Sequence, residues 1–228
     1  MGFDIELPVH IEFYGLPGSG KSTVSHMLAK KLRKAGYTVF EPTYSTDHGR
    51  PPFIRRMKKL FQAASFSLFH FRSVTGVIRL LKLNNYSSAG MIRQLCNILP
   101  KLKVYAAGRS GIYIWDEGLI QSSVSLSLFS MISAGRNHRQ LTGSPSIKKH
   151  MDIPVYVTVN EEEAAERLER RTVRESRAEG MPRQKQIRLL KKISGLCNEV
   201  CPDNAYRIQS GALLDMEKEL FCYICSKL

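Results

Sequence analysis

Apolar and polar positions along the chain follow two periodicities, and together they predict an α/β fold. Short runs rich in apolar, β-branched and aromatic residues have the length of strands, and they lie at 9–14, 37–40, 111–116, 153–159 and 206–208. Between these runs the apolar residues recur at helical spacing, as at Val24, Leu28 and Leu32 within 21–35. Alternating strands and helices predict a parallel sheet with helices on both faces.

The loop after the first predicted strand fits the pattern G-x-x-x-x-G-K-S/T. Its residues are Gly15, Leu16, Pro17, Gly18, Ser19, Gly20, Lys21 and Ser22, with Thr23 directly after them. Such a loop turns its backbone N–H groups inward as an anion nest, and the following helix adds the positive end of its dipole. We therefore predict a P-loop NTPase fold in which these residues bind ATP. Lys21 is expected to contact the β- and γ-phosphates and Ser22 to bind Mg²⁺.

A second polar site follows the predicted strand 111–116. Asp116 stands at the carboxyl end of this strand, where ligands of open α/β sheets bind. We expect it to hold Mg²⁺ through the water shell of the ion, together with Ser22. Glu117 begins the next predicted helix, and its pattern is compatible with a helix cap, a general base or a substrate ligand.

The segment 48–110 is predicted to be a basic helical insertion over the phosphate site. Its helical pattern covers 53–107, with breaks expected near Gly76, Asn84–Asn85, Gly90 and Pro100. This is too long for a simple crossover between two strands. The length of 228 residues fits one domain, so we predict a single P-loop kinase domain over 1–228.

The positive charge of the chain is concentrated in this insertion. The net charge is +14, and no Asp or Glu occurs between Asp47 and Asp116, whereas twelve Lys and Arg residues do. Such a region predicts an anionic partner: a small phosphorylated acceptor, an acidic membrane surface or nucleic acid. A solvated basic face without a specific partner is the alternative. A homodimer is a further hypothesis.

One aromatic stretch of the insertion allows two interpretations. Its apolar residues are Leu60, Phe61, Ala64, Leu68, Phe69 and Phe71, and Lys58, Lys59 and Arg72 border them. The favoured prediction is that these apolar side chains pack in the core. The alternative is an amphipathic helix on a membrane surface.

A late helix is rich in arginine, and we predict a lid over 160–182. After the strand 153–159, arginines recur mostly along one side of the helix, and they include Arg167, Arg171 and Arg174. Guanidinium groups at this place can neutralise a transferring phosphoryl group. The alternative is a solvated helix with ion pairs such as Glu163 with Arg167.

Cysteine usage and hydropathy predict a cytoplasmic protein. The five cysteines are odd in number and lie in predicted helices, which argues against a disulfide framework. Cys197, Cys201, Cys222 and Cys225 could form a four-sulfur metal site, although their spacing is not typical of one. The chain has no signal-peptide pattern and no apolar run of the roughly 18 residues that cross a bilayer.

The order of these features resembles the thymidylate kinase branch of the nucleoside monophosphate kinase-like P-loop proteins. The resemblance rests on the P-loop, Glu41-Pro42 after the second strand, Arg55-Arg56, the strand end at Asp116, Ser122-Ser123 and the late arginines. It implies an ATP- and Mg²⁺-dependent phosphotransferase. It further implies that Glu41 and Arg55 or Arg56 lie near the acceptor, Asp116 near the metal, and Arg167, Arg171 and Arg174 in or beside the lid.

The chain departs from that family at three positions, which bear on the acceptor. Tyr14 and Pro17 replace a Glu before the P-loop and an Asp within it, and Glu117 replaces an Arg that contacts the acceptor phosphate. A carboxylate repels a monophosphate but can accept a proton from a hydroxyl. The acceptor is therefore a nucleoside monophosphate or another small molecule, such as a sugar, an alcohol or a lipid-linked compound. A nucleotide-dependent switch is the alternative to a kinase.

Overall fold

A computed structural model describes residues 6–47, 51–171, 178–210 and 213–228. Its centre is a sheet of five parallel strands in the order β2-β3-β1-β4-β5. The strands are β1 Val9–Gly15, β2 Val39–Phe40, β3 Ile112–Trp115, β4 Met151–Thr158 and β5 Tyr206–Gln209. This arrangement confirms the predicted parallel α/β sheet, although β2 is shorter than the predicted strand at 37–40.

Helices cover both faces of this sheet. They are α1 Lys21–Lys34, α2 Tyr44–Asp47, α3 Pro52–Phe69, α4 Phe71–Leu83, α5 Ser88–Ala107, α6 Leu119–Ser127, α7 Ala134–Thr142, α8 Glu161–Glu169, α9 Arg183–Val200 and α10 Leu213–Cys225. Apolar residues of α1 and α10 pack on one face, and those of α6, α8 and α9 form a cluster with Tyr14 and Tyr156. A further cluster joins α3, α4 and α5 to Tyr113 and Trp115.

The register of the sheet brings the ends of β1 and β3 together. Glu12 of β1 lies opposite Trp115 of β3, and the P-loop and Asp116 continue directly from these strands. Because both strands are parallel, their carboxyl ends share one edge of the sheet. The fold therefore places the P-loop beside Asp116.

The helices of the segment 48–110 differ from the pattern in where they break. The helices break around 84–87, as predicted at Asn84–Asn85, and also at His70, whereas Gly76, Gly90 and Pro100 all lie inside helices. Pro100 is tolerated because Ile98, Leu99 and Leu102 are buried beside it, and this packing outweighs the lost hydrogen bond. The short helix α2 lies between β2 and α3.

The prediction that the aromatic stretch packs in the core is wrong. Leu60, Phe61, Leu68, Phe69 and Phe71 are between 48% and 82% exposed, and Ala64 is exposed as well. The core contacts come instead from Ala63 and Phe66, which join the cluster with α4 and α5. Because α3 carries apolar residues around most of its circumference, periodicity alone does not decide which side is buried.

The described part of the chain contains neither the four-sulfur metal site nor a helix that could span a membrane. All five cysteines have free thiols, and no group of three or more His, Cys, Asp or Glu residues there is placed to hold a metal. The four-sulfur site is therefore not formed. In the same ranges no helix combines the length and the apolar character that crossing a bilayer requires. The cytoplasmic location stays a prediction.

A buried histidine of β1 makes the stability of the fold depend on pH. His10 is 1% exposed, stacks on Tyr105, Tyr113 and Trp115, and accepts a hydrogen bond of 2.9 Å from Trp115 Nε1 at its Nδ1 atom. Burial lowers the pKa of His10 to about 3; His150 adds to this effect and Asp152 opposes it. His10 is therefore uncharged in the folded protein near neutral pH.

We expect His10 to reduce the free energy of unfolding as the pH falls from about 6.5 towards 3, because the unfolded chain then binds a proton that the folded chain does not. The effect is limited to about 1.4 kcal/mol per pH unit. His10→Asn removes the titrating group and should flatten the slope in urea unfolding measured at several pH values. His150→Asn is a comparison of opposite sign in another pH range: the bond to Asp152 raises the pKa of His150, so its contribution to the free energy of unfolding is lost as the pH rises above about 6.5. An unchanged slope in His10→Asn would contradict the prediction.

Candidate functional site

The P-loop connects β1 to α1 in a conformation suited to anion binding. Gly20 precedes α1 with a φ of 88°, a left-handed conformation that glycine adopts without strain. Lys21 is buried, and its Nζ atom donates hydrogen bonds to the carbonyl oxygens of Gly15 at 3.1 Å and Leu16 at 2.7 Å. Burial lowers the pKa of Lys21, whereas the charges of Glu117 and Asp116 oppose this effect. Lys21 is thus held within the loop, where a phosphate would supply a compensating charge.

Ser22 and Asp116 meet at the edge of the sheet. The Ser22 hydroxyl donates a hydrogen bond of 3.0 Å to Asp116 Oδ2. Asp116 Oδ1 is buried and has no hydrogen-bond partner within the described ranges. A hydroxyl and a carboxylate with an unsatisfied oxygen are donors of the kind that Mg²⁺ prefers, and the ion takes its remaining ligands from phosphate and water. The pair therefore fits the Mg²⁺ site that the sequence predicts.

Two neighbouring cavities open beside the P-loop. The first, which we call the P-loop cavity, is lined by Lys21, Ser22, Arg171 and apolar residues of α6 and α9. The second, which we call the insertion cavity, lies between α3, α5 and α6, and its lining includes Lys59, Lys101 and Trp115. The residues common to both cavities are Gln94, Asn97, Glu117, Gln121 and Ser125. The cavities are therefore adjacent, with an exposed carboxylate, Glu117, where they meet.

A buried polar group below this junction supports the start of α6. Glu12 of β1 is 4% exposed, and its carboxyl group accepts a hydrogen bond from the backbone N–H of Ile120. Burial raises the pKa of Glu12 to about 8, while the backbone bonds of α6 and the charge of Lys101 oppose this shift. Lys101 Nζ donates to the Gly118 carbonyl at 3.1 Å and to Ser122 Oγ at 2.7 Å. Glu12 and Lys101 thus fix the backbone next to Glu117.

Gly118→Ala should disturb this support. A Cβ atom at Gly118 would overlap the carboxyl group of Glu12, which cannot move aside easily because it is buried. We expect a loss of about 1–3 kcal/mol in the free energy of unfolding, measured in urea. Gly76→Ala is the matched control, since a Cβ atom there meets nothing within 4 Å and alanine favours the helix α4. Equal stabilities of the two variants would contradict this account of Gly118.

The predicted acceptor residues Glu41, Arg55 and Arg56 do not line the two cavities, although Pro42, next to Glu41, lines the insertion cavity. The Glu41 carboxylate bonds to His26 at 2.8 Å and to Arg33 at 2.6 Å, both on α1. Neither Glu41 nor Arg55 nor Arg56 is among the described residues that line either cavity. Lys59, one helical turn beyond Arg55, lines the insertion cavity instead. The acceptor roles of Glu41, Arg55 and Arg56 stay predictions.

The three arginines predicted to lie in or beside the lid differ in location. Arg167 donates to the Gly18 carbonyl at 3.4 Å, to Ser210 Oγ at 2.6 Å and to Glu163 at 2.5 Å, so it lies beside the P-loop and also makes the ion pair considered above. Arg171 lines the P-loop cavity, and its guanidinium group is 3.4 Å from Glu179. Arg174 lies outside the described residues, as does part of the predicted lid.

Sequence reasoning missed the uncharged polar residues of the site. Gln121 of α6 accepts a hydrogen bond of 3.0 Å from the backbone N–H of Gly15 and lines both cavities. Gln94 and Asn97 of α5 line both cavities as well. No motif marks such amides in a helix. Glu12 was detectable in principle, because it is a lone carboxylate within an otherwise largely apolar strand.

Comparison of the sequence with known proteins gives a local match. No family model matches the chain. It is 39% identical over 62 residues to the signal recognition particle 54 kDa protein of Methanothermobacter thermautotrophicus. This match covers 27% of the chain and 14% of that protein, so the chain corresponds to only a small part of its relative.

Comparison of the structure with solved structures identifies the fold. A shikimate kinase from Acinetobacter baumannii, in complex with shikimate, matches 97% of this chain and 94% of its own, with a TM-score of 0.50 and 18% identity. A deoxyadenosine kinase from M. mycoides matches 97% and 100%, with a TM-score of 0.47 and 15% identity. A thymidylate kinase from Ehrlichia chaffeensis matches 95% and 98%, with a TM-score of 0.44 and 14% identity. The chain therefore shares the overall α/β fold of that shikimate kinase.

Proposed function

We propose that the protein is an ATP- and Mg²⁺-dependent phosphotransferase that transfers the γ-phosphoryl group of ATP to a small acceptor. The observation that carries this proposal is the adjacency of the two cavities, with Glu117 lining both. The P-loop cavity would hold the triphosphate, and the insertion cavity would hold the acceptor. Reactants held side by side in this way need little further catalysis beyond positioning and charge neutralisation.

The donor side relies on fixed positive groups. Lys21 and the P-loop N–H groups would bind the phosphate oxygens, and Arg171, which also lines the P-loop cavity, would add a second positive charge. Ser22 and Asp116 would hold Mg²⁺, which when bound neutralises charge on the phosphates. Arg167 is bonded to the Gly18 carbonyl and would keep the loop in place.

The acceptor side favours a hydroxyl group. In the transfer, an acceptor oxygen forms a bond to the γ-phosphorus atom while the bond from that atom to the bridging oxygen of ADP breaks. Glu117 would take the proton that the hydroxyl loses, as a general base. A nucleoside monophosphate, which the likeness to thymidylate kinases suggests, would bring a phosphate towards this carboxylate and be repelled. A sugar, an alcohol or a lipid-linked alcohol fits the charge of Glu117 better.

The test is ATP consumption with Mg²⁺ over a panel of nucleoside monophosphates, nucleosides, sugars and lipid-like alcohols. We expect turnover that depends on one acceptor class and stops when EDTA removes Mg²⁺. Turnover with a hydroxyl compound supports Glu117 as a base, and turnover only with a nucleoside monophosphate contradicts that role. ATP binding without acceptor-dependent turnover across the whole panel would count against the kinase proposal.

A further inference from the structure

The solvent side of α3 is a continuous apolar surface. Its exposed residues, which we call the outer face of α3, are Phe53, Ile54, Met57, Leu60, Phe61, Ala64 and Leu68. At 100° per residue these positions fall within a sector of about 120°, opposite the buried Ala63 and Phe66. The face extends about 22 Å along the helix axis. Phe61 and Leu68 are 73% and 79% exposed, so the fold itself does not cover them.

The junction of α3 and α4 extends this surface with aromatic rings. Phe69 and Phe71, on either side of His70, are 82% and 74% exposed. Exposed apolar surface of this extent is unusual on a protein that functions without a partner. Large aliphatic and aromatic side chains together, rather than aromatic rings alone, make up the surface.

Positively charged side chains border the outer face of α3, and the neighbouring part of the sequence has no acidic residue. Arg56 and Lys58 lie on opposite sides of the apolar sector, and the exposed Arg72 follows the aromatic junction. No Asp or Glu occurs between Asp47 and Asp116. An apolar sector with a basic rim is the arrangement of helices that lie in the interface of anionic bilayers.

We propose that the outer face of α3 docks on an anionic lipid bilayer. The apolar side chains enter the boundary between headgroups and acyl chains, at a depth of about 5–10 Å, and the basic rim contacts anionic headgroups. A two-fold dimer through this face is disfavoured because it brings identical basic rims together without a carboxylate to pair with them. Nucleic acid is disfavoured because its interfaces are polar, whereas this face is dominated by Leu, Ile, Met and Phe.

Docking does not depend on the proposed phosphotransfer, but it has a consequence for it. Lys59 and Gln62 lie on the inner side of the same helix and line the insertion cavity. Since a helix with its side chains is about 10 Å across, docking brings the insertion cavity to within about one helix diameter of the bilayer. A lipid-linked acceptor could then reach the cavity without leaving the membrane.

The experiment is flotation of the 228-residue protein with vesicles of phosphatidylcholine alone and of phosphatidylcholine mixed with phosphatidylglycerol. We expect binding to the mixed vesicles that weakens in high salt. Phe61→Glu and Leu68→Glu should each reduce the bound fraction by about tenfold, because a carboxylate then faces the anionic surface. Met131→Glu is the matched control: the side chain is fully exposed in the α6–α7 connection, and its substitution makes the same charge change.

Four results would overturn the proposal. One is absence of wild-type binding to the mixed vesicles at low salt, and another is equal binding to both kinds of vesicle. The third is a dimer in light scattering that Phe61→Glu dissociates, together with no vesicle binding, since a second copy of the chain would then cover the face. Binding that survives both α3 substitutions would place the membrane contact elsewhere and would also contradict it. Circular dichroism of each variant checks that the exposed substitutions leave the fold intact.

Discussion

Lys21→Ala should lower acceptor-dependent phosphoryl transfer by at least about two to three orders of magnitude. Lys21 is the buried cation of the P-loop, and its Nζ atom lies within 3.1 Å of the Gly15 and Leu16 carbonyl oxygens. A triphosphate in the P-loop cavity would replace these carbonyls as its partner. Alanine removes the only side-chain charge of the loop, so both ATP affinity and the rate of transfer should fall. Isothermal titration with ATP and a coupled assay of ADP release measure the two effects.

A second lysine of the same helix provides the control. Lys30 is exposed on α1, outside the described lining of both cavities, and Lys30→Ala should leave transfer and ATP binding unchanged. Lys21→Ala should have the same circular dichroism spectrum as the wild type. The substitution removes the methylene groups of Lys21 at the edge of the core and not at its centre, so the fold is expected to remain intact. Turnover by Lys21→Ala equal to that of Lys30→Ala would refute the assignment of the P-loop.

The arrangement of the P-loop beside Asp116 could be predicted from sequence because each part of it is local. Gly15 to Thr23 are contiguous, and Asp116 follows a strand whose place beside β1 results from the parallel sheet. The hydrogen bond of 3.0 Å between Ser22 and Asp116 therefore joins two residues that the motif and the strand end had each indicated. Their chemistry and their location follow from the same few residues.

The insertion cavity could not be predicted in this way, because it is formed by packing between distant helices. Glu41 was placed near the acceptor by family likeness, but its carboxylate bonds to His26 and Arg33. Lys101 was one of many basic residues of the insertion, yet it is the one whose ammonium group reaches Gly118 and Ser122. Burial and partners distinguish such a residue, and neither can be read from a charge pattern.

The orientation of α3 shows a second limit of the sequence. Apolar residues occupy both its core side, at Ala63 and Phe66, and its solvent side, at Phe61 and Leu68. The periodicity of 3.6 residues selects one stripe only when the other side is polar. Here packing against α5 decides which stripe is buried, and the aromatic stretch that composition assigns to the core remains outside it.

Glu117→Gln is expected to slow transfer by about two to four orders of magnitude while ATP binding changes little. Glutamine has nearly the same shape but does not accept a proton, so the substitution tests the base role without altering the volume of the junction. Glu117 is exposed and lines both cavities, which leaves its carboxylate accessible to an acceptor hydroxyl. Single-turnover measurement of the transfer, with ATP affinity determined separately, distinguishes the chemical step from binding.

A control substitution and two other possible roles of Glu117 each predict a different effect on transfer and on stability. Glu162→Gln makes the same change at an exposed position in the first turn of α8 and should leave transfer unaltered. If Glu117 only stabilises the start of α6 through the helix dipole, Glu117→Gln lowers the free energy of unfolding by about 0.3–1 kcal/mol and leaves transfer intact. If the acceptor is a monophosphate, the variant transfers faster, because a repulsive charge is gone. Only with a hydroxyl acceptor do we expect Glu117→Gln to lose phosphoryl transfer while its fold and its affinity for ATP are unchanged.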